Sequence, residues 1–347
     1  MVICKIYANF TAFYKKLVTM EYQNIEMKNR VVGVDISTDS TSYAIVDIRG
    51  NIIADGSFDT SEYPNVNNFV EKLCSSICTL AEENGGIMSI RSAGISAPSG
   101  SSVSNSIVNP PNLPWTGVIP IGAMVRDQLG IAVIVGNDAH VAALGEQGYG
   151  SAHGMKDFIL VTMGEGVGSC LFSNGYEHLG TEGLAGEFGH TCVVDGGRQC
   201  GCGAKGCLEA YVAAQGIITT AKEMMEESNE PTLMRSLQSL SPKTIKECCD
   251  QGDKMAIEVY RKTGYLLGIS LANYASIANP EAIILTGGIS KAGKWIMEPI
   301  CESFEQHVFH SMRGKVKIIV SRLNNHERDV LGASVLAWQV KEYSLFL

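Results

Sequence analysis

No stretch of this chain holds the roughly 20 consecutive apolar residues that a membrane-spanning helix needs, so a helical membrane protein is excluded. Basic residues are in short supply, 27 Lys and Arg against 36 Asp and Glu, and they form no cluster. The net charge of −9 therefore argues against nucleic acid as a partner, because phosphate backbones are bound by grouped cations. A small phosphorylated ligand needs only a few local donors and stays admissible. A secretory signal is missing too, since Asn9, Lys15 and Lys16 interrupt the apolar core of "MVICKIYANFTAFYKKLVTM". A cytoplasmic location is expected, where thiols stay reduced.

What remains is 45% apolar and 18% charged over 347 residues, the composition of an ordered globular protein large enough for two domains. Met20 and Met27 precede the first clear strand. Residues 1–29 are expected to be an extension outside the fold, disordered or not native.

Short β-branched runs begin at 31, 42, 90, 131, 158, 282 and 316, and helical periodicity covers 66–84, 208–226, 254–277 and 329–342. Strands alternating with helices predict an α/β protein with mostly buried sheets. "VVGVDISTDSTSYAIVDIRGNII" and "FILVTMGEGVGSCLFSNGYEH" share one plan, strand, small-residue turn, strand, Gly turn, which hints at duplication. Two such domains facing each other would enclose a ligand cleft. "GNDAH" ends one strand and opens a helix, placing Asn137 and Asp138 at the carboxyl edge of a sheet.

The chemistry is densest in "HTCVVDGGRQCGCGAKGCLEAY", residues 190–211. Eleven cysteines occur in all, and Cys74 and Cys78 fall on the apolar face of the helix over 66–84, where they read as core. His190, Cys200, Cys202 and Cys207 are different. Three thiolates and an imidazole complete a tetrahedral shell for a structural zinc ion and leave no position for water. Glycines at 201, 203 and 206 let the backbone turn tightly between the ligands. Four unrelated buried residues would not explain those glycines, and Cys-x-Cys lacks the helix-start context of a redox pair. A loop pinned by zinc would hold Glu187, the free nitrogen of His190 and Glu209 rigidly, a set suited to sugar hydroxyls because each carboxylate accepts twice. Glu209 read alone at a helix start would only favour the helix dipole.

"GLAGEFGH…CGCGAKGCLEAY" resembles the signature of the ROK family (repressors, open reading frames and sugar kinases). The resemblance runs over about residues 30–340 and includes "GNDAHVAALGE", "TMGEGVGSCLFSNG" and "LTGGIS". It implies two actin-like, ribonuclease-H-like domains around a central cleft, with residues 30–136 plus 330–347 in the smaller and 137–329 in the larger. It further implies ATP and magnesium as cofactors, and a homodimer. The expected activity is phosphorylation of glucose or an N-acetylhexosamine at its 6-hydroxyl.

Carried over by position, Asp138 matches the general base, accepting the proton of the attacking hydroxyl. Asn137, Glu187, His190 and Glu209 match sugar-binding positions, and Asn112 matches a looser sugar-side segment in which a plain turn residue is equally expected. An N-cap role is the competing reading of Asp138. For the nucleotide, Thr162, Gly164, Gly166 and Gly168 resemble a phosphate-cradling loop, Gly287 and Gly288 an adenosine-side turn, and Asp35 an organiser of magnesium with Thr38 beside it.

Two departures bear on activity. Where the family's first loop reads Asp-x-Gly-Gly-Thr, this chain has Asp35-Ile36-Ser37-Thr38-Asp39, and Glu165 stands where its kinases commonly carry Thr. Carboxylates there repel a triphosphate unless magnesium or a basic group intervenes. The family's sugar-sensing repressors show similar loops but carry a winged helix ahead of the first strand, and no helix-turn-helix pattern precedes strand 31 here. A hexose kinase is therefore expected first and a sugar-binding regulator with a degenerate ATP site second. A zinc-stabilised interaction protein without a small ligand comes third, as it leaves Asn137, Asp138 and Glu187 without purpose.

Overall fold

In a computed structural model of the chain, residues 28–340 are described, except Pro111 and the side chains of Asn325 and His326. The expected extension over 1–29 lies almost wholly outside the described residues, as do residues 341–347 of the expected smaller domain.

The first sheet is built from β1 (Arg30–Ile36), β2 (Ser40–Asp47), β3 (Ile52–Asp59), β4 (Ile90–Ala97) and, after α1 (Val66–Glu82), a small sheet β5 (Gly100–Ser101), β6 (Ser106–Val108), β7 (Val118–Ile119) and α2 (Ile121–Leu129), from β8 (Ala132–Asn137). Its order is β3-β2-β1-β4-β8. β1 to β3 form an antiparallel meander, while β1, β4 and β8 run parallel. α3 (Asp138–Tyr149) leads into β9 (Phe158–Met163), β10 (Val167–Ser173) and β11 (Tyr176–Glu177). Then come α4 (Glu209–Val212), α5 (Ala214–Glu227), α6 (Pro242–Asp250), α7 (Lys254–Ala278), β12 (Ala282–Thr286), α8 (Lys294–His307), β13 (Lys317–Val320) and α9 (Asn325–Trp338). The second sheet has the order β11-β10-β9-β12-β13, again an antiparallel meander extended by parallel strands. The two sheets share one topology. The repeated strand plan seen in the sequence recurs as two like-ordered sheets, the actin-like pair of α/β units.

The strands carry nearly continuous apolar runs because helices cover them; Val31, Val32 and Val34 of β1 and all of β12 are buried. α3 and α9 cross where Gly332 lies against the backbone of Val141, leaving 2.0 Å between the Val141 carbonyl and any Cβ added at 332. α9 also packs on β1 and β4, and α3 on β9 and β10, so the helix pair ties the two sheets together.

The expected helix over 208–226 is broken. Ala213 is extended (φ −73°, ψ 170°), which frees the Ala214 N–H to bind the Gly164 carbonyl at 2.9 Å. Tertiary hydrogen bonding thus overrides an uninterrupted helical pattern. The last helix begins at Asn325 rather than 329, because the Asn324 side chain caps it by accepting the Glu327 N–H at 2.8 Å.

Candidate functional site

Carboxyl ends of parallel strands from both sheets converge on one cleft, where α/β folds place ligands. β1 delivers Asp35, whose carboxylate accepts the Ser96 hydroxyl of β4 at 2.7 Å. β8 delivers Asn137 and α3 starts on Asp138. The cap of α3 is Asn137, whose side chain accepts the Ala139 N–H at 3.0 Å. Asp138 stands in the first turn with its side chain exposed to the cleft, so the N-cap reading of Asp138 gives way. Its carboxylate also accepts the Ala139 N–H, at 2.8 Å. Gly168 shows how closely α3 approaches the second sheet. A Cβ there would stand 2.8 Å from Thr162 Oγ1 and 2.9 Å from Ala139 Cβ.

The cleft is crowded with negative charge. Burial, then the neighbouring Asp329 and Asp138 carboxylates, push Asp35 up to about 7. Burial likewise raises Asp329 to about 6, although the adjoining Arg328 opposes it. Asp138 is raised above the ordinary carboxylate range by the protein crowded around it, against the pull of the Ala139 N–H, His140 and Arg328. Arg328 is the cation of this group. It is buried, pairs with Asp329 at 2.6 Å and donates to Thr286 at the end of β12, reaching from α9 to the second sheet. Arg328 and Asp329 escaped sequence reasoning because they sit in a helix that reads as amphipathic, with no motif to mark them.

The first loop is closed on itself. The Ser37 N–H and hydroxyl both donate to the Ser40 carbonyl, at 3.0 and 2.8 Å. Thr38 and Asp39 are exposed at its tip. In the second loop the Gly164 N–H donates to the Gly166 carbonyl at 3.0 Å, and the Thr162 hydroxyl donates to Gly168 at 3.2 Å. Gly287 has φ +92°, and a Cβ there would meet the Met163 carbonyl at 2.2 Å, so its glycine is demanded by the fold itself. Gly288 is open and, with Gly164, Glu165, Lys243, Lys246 and Lys291, lines a cavity of about 500 Å³, a size typical of small-molecule sites. Lys243 comes from α6, which the periodicity reading passed over. Ser241 and Thr244 form a capping box there with Pro242 at the first helical position, a readable start signal.

In the cysteine-rich segment, His190, Cys200, Cys202 and Cys207 bring their donor atoms within 4.8 Å of one another. His190 Nδ1 faces Cys200 Sγ at 3.7 Å, and Cys202 Sγ lies 3.7 Å from Cys207 Sγ. The other ring nitrogen, Nε2, points to Glu187 at 4.0 Å. One imidazole thus serves the thiol cluster and the open face together. Gly206 (φ +77°) lets the chain fold back so tightly that a Cβ would lie 1.8 Å from the Val194 carbonyl. Donor set and spacing fit zinc. Tyr274 of α7 anchors this segment by stacking on Phe188 at 3.9 Å and donating to its carbonyl at 3.0 Å.

Glu209 is already engaged. Its carboxylate accepts the Val167 N–H at 3.0 Å and faces Cys200 Sγ at 3.8 Å. It joins the cysteine segment to the β9–β10 turn. Asn112 sits exposed in the β6–β7 connection, and no hydrogen bond joins it to the other site residues among the described residues.

The ROK family's sequence profile matches residues 31–340. The chain belongs to the ROK family. It is 35% identical to a glucokinase of Halalkalibacterium halodurans over 67% of this chain and 70% of that protein. It is 26% identical to a xylose repressor of Caldicellulosiruptor bescii over 85% of this chain and 75% of that one. The solved structure of a ROK family glucokinase from Streptomyces griseus, in complex with glucose and AMPPNP, superposes with a TM-score of 0.74 at 29% identity, covering 90% of this chain and 100% of that one. Among the described residues, no helix of this ROK protein is long and apolar enough to cross a membrane.

Proposed function

We propose that this ROK protein is a sugar kinase that transfers the terminal phosphoryl group of ATP to the 6-hydroxyl of a hexose, glucose or an N-acetylhexosamine. The observation that carries the reading is Asp138. It is a carboxylate exposed in the cleft at a strand's carboxyl end, beside the β9–β10 turn and near Arg328. Asp138 accepts the proton of the attacking hydroxyl, which bonds to phosphorus as the bond to the leaving ADP oxygen breaks. Glu187 and His190 Nε2 receive the sugar hydroxyls, with Asn137 at the same edge. The cavity at Gly164 and Gly288 takes the nucleotide, and Lys243 and Lys291 supply the positive charge that the first loop lacks.

His190, Cys200, Cys202 and Cys207 would hold zinc, whose part is to fix the loop. Asp35 and Asp329 are neighbouring carboxylates raised chiefly by burial, Asp35 also by the Asp329 charge and Asp329 by those of Asp138 and Glu146, a donor set suited to magnesium. Magnesium would neutralise phosphate charge there. The Halalkalibacterium halodurans relative named glucokinase supports this reading, as does the glucose and nucleotide analogue in the Streptomyces griseus structure.

A second reading, a sugar-binding regulator without turnover, is favoured by the Ser37–Ser40 closure, which engages the Ser37 N–H, and by the xylose repressor relative. The deciding experiment is ADP release from magnesium ATP across glucose, N-acetylglucosamine, N-acetylmannosamine, mannose and fructose. Turnover with one sugar establishes the kinase and its acceptor. A sugar that raises the melting temperature without turnover establishes the regulator.

A further inference from the structure

A second convergence of nitrogen, sulfur and oxygen donors lies behind the catalytic helix. His140 of α3, Cys170 of β10 and Glu177 of β11 each bring one donor atom within 4.8 Å of the other two. The His140 and Glu177 side chains are only 8% and 16% exposed, and Cys170 is buried. These residues precede the cysteine-rich segment and share none of its ligands.

The hydrogen bonding of His140 determines what the cluster can hold. Its Nε2 stands 3.3 Å from the Ala185 carbonyl. A carbonyl only accepts, so Nε2 carries the proton and donates. The other ring nitrogen, Nδ1, faces Glu177 Oε2 at 3.4 Å. A ring nitrogen and a carboxylate oxygen that close, away from water, need positive charge between them, supplied by a proton on Nδ1 or by a metal ion. Metal-binding histidines are held in this way, one nitrogen donating to a backbone carbonyl and the other presented to the ion. The third donor, Cys170, favours the ion. Its Sγ joins the other two within 4.8 Å. Its one hydrogen-bond contact among the described residues is a long one, 4.0 Å to the carbonyl of the next residue, and burial keeps the thiol protonated in the absence of a cation.

We propose that His140, Cys170 and Glu177 form a second metal site, for a zinc-like divalent cation, separate from the His190–Cys207 cluster. A thiolate and an imidazole select a borderline-soft ion over magnesium or calcium, which prefer oxygen throughout. Three protein ligands leave one position open. His140 and Glu177 also border a narrow recess with Asn137 and Ser101, with room for about one water molecule. On binding, the Cys170 thiol releases its proton to solvent and the thiolate bonds to the ion. The occupied site would clamp α3 to the segment through Ala185, joining the helix of Asp138 to the loop of Glu187 and His190.

Cobalt(II) is the probe, read by metal analysis and by its thiolate charge-transfer and visible bands. The full-length protein is loaded with excess cobalt under reducing conditions and desalted. Two equivalents are expected in the wild type, one from a three-thiolate centre and one from a single-thiolate centre with roughly a third of the charge-transfer intensity. Cys170→Ser and Glu177→Gln should each lose one equivalent and keep the three-thiolate spectrum, while Cys202→Ser should lose the other. One equivalent in the wild type, retained in Cys170→Ser, would overturn the proposal. The wild-type count and spectrum decide the matter even where a variant does not fold, and neither depends on kinase activity.

Discussion

The Glu209 carboxylate accepts the backbone N–H of Val167 at 3.0 Å while facing Cys200 Sγ at 3.8 Å. Cysteine segment and β9–β10 turn are therefore one mechanical unit. A residue whose motif position points to sugar contact here also joins the loop of the four candidate ligands to the glycine turn between β9 and β10.

Removing zinc should consequently disturb both sides. Chelation, or Cys202→Ser, is expected to weaken sugar binding about tenfold or more and to lower the melting temperature, since ligation and local folding are coupled. Nucleotide affinity should fall as well. Calorimetric titration of sugar and of ATP analogue, before and after chelation, checks this; unchanged sugar affinity in metal-free protein would refute the zinc-pinned loop.

Asp138→Asn should separate chemistry from recognition. Turnover is expected to fall by about 10²–10⁴, with the sugar dissociation constant changed less than about threefold, because the amide keeps the shape but cannot take the proton. Single-turnover rates beside equilibrium titration give both quantities, and near wild-type turnover would remove Asp138 from the role of base.

Arg328 is a buried cation among carboxylates, pairing with Asp329 and reaching Thr286. Arg328→Met is expected to cost about 3–5 kcal/mol, the usual penalty for orphaning a buried charge. Adding Asp329→Asn should recover a large part of it. Urea unfolding of the two single variants and the double variant measures the coupling, and strict additivity would show that the pair acts independently.

Asp35 supplies a pH dependence with a definite sign. Its carboxyl is raised from 3.8 to about 7 in the folded chain. Between those values the folded state holds a proton that the unfolded state has released, so this group's contribution lowers stability as pH rises through that window. Asp35→Asn, which mimics the protonated form, should match the wild type near pH 4 and exceed it at pH 8, without magnesium or nucleotide. The expected gain is on the order of 2 kcal/mol. Melting curves across that range test it, and a variant less stable at pH 8 would contradict the raised Asp35 carboxyl.

Much of the site is legible without coordinates. The four candidate metal ligands lie within eighteen positions, and "GNDAH" places Asp138 at a strand end, because ligand spacing and strand-to-helix junctions are local properties of the chain. The helix break at Ala213 was not legible, since its cause is the Gly164 carbonyl on another element. The same holds for Gly287, whose glycine answers the Met163 backbone rather than a ligand.

The sequence by itself determined the alternation of strands and helices, the duplicated strand-turn-strand plan, the four sulfur and nitrogen donors and the carboxylate at the edge of β8. Each is encoded in periodicity or short spacing. Only the tertiary structure decided that α9 carries Arg328 and Asp329 into the cleft beside Asp35, that Glu209 is bound to Val167, and that His140 meets Cys170 and Glu177. Those neighbours are brought together by packing helices against two sheets, and packing joins residues whose separation along the chain carries no periodic signal.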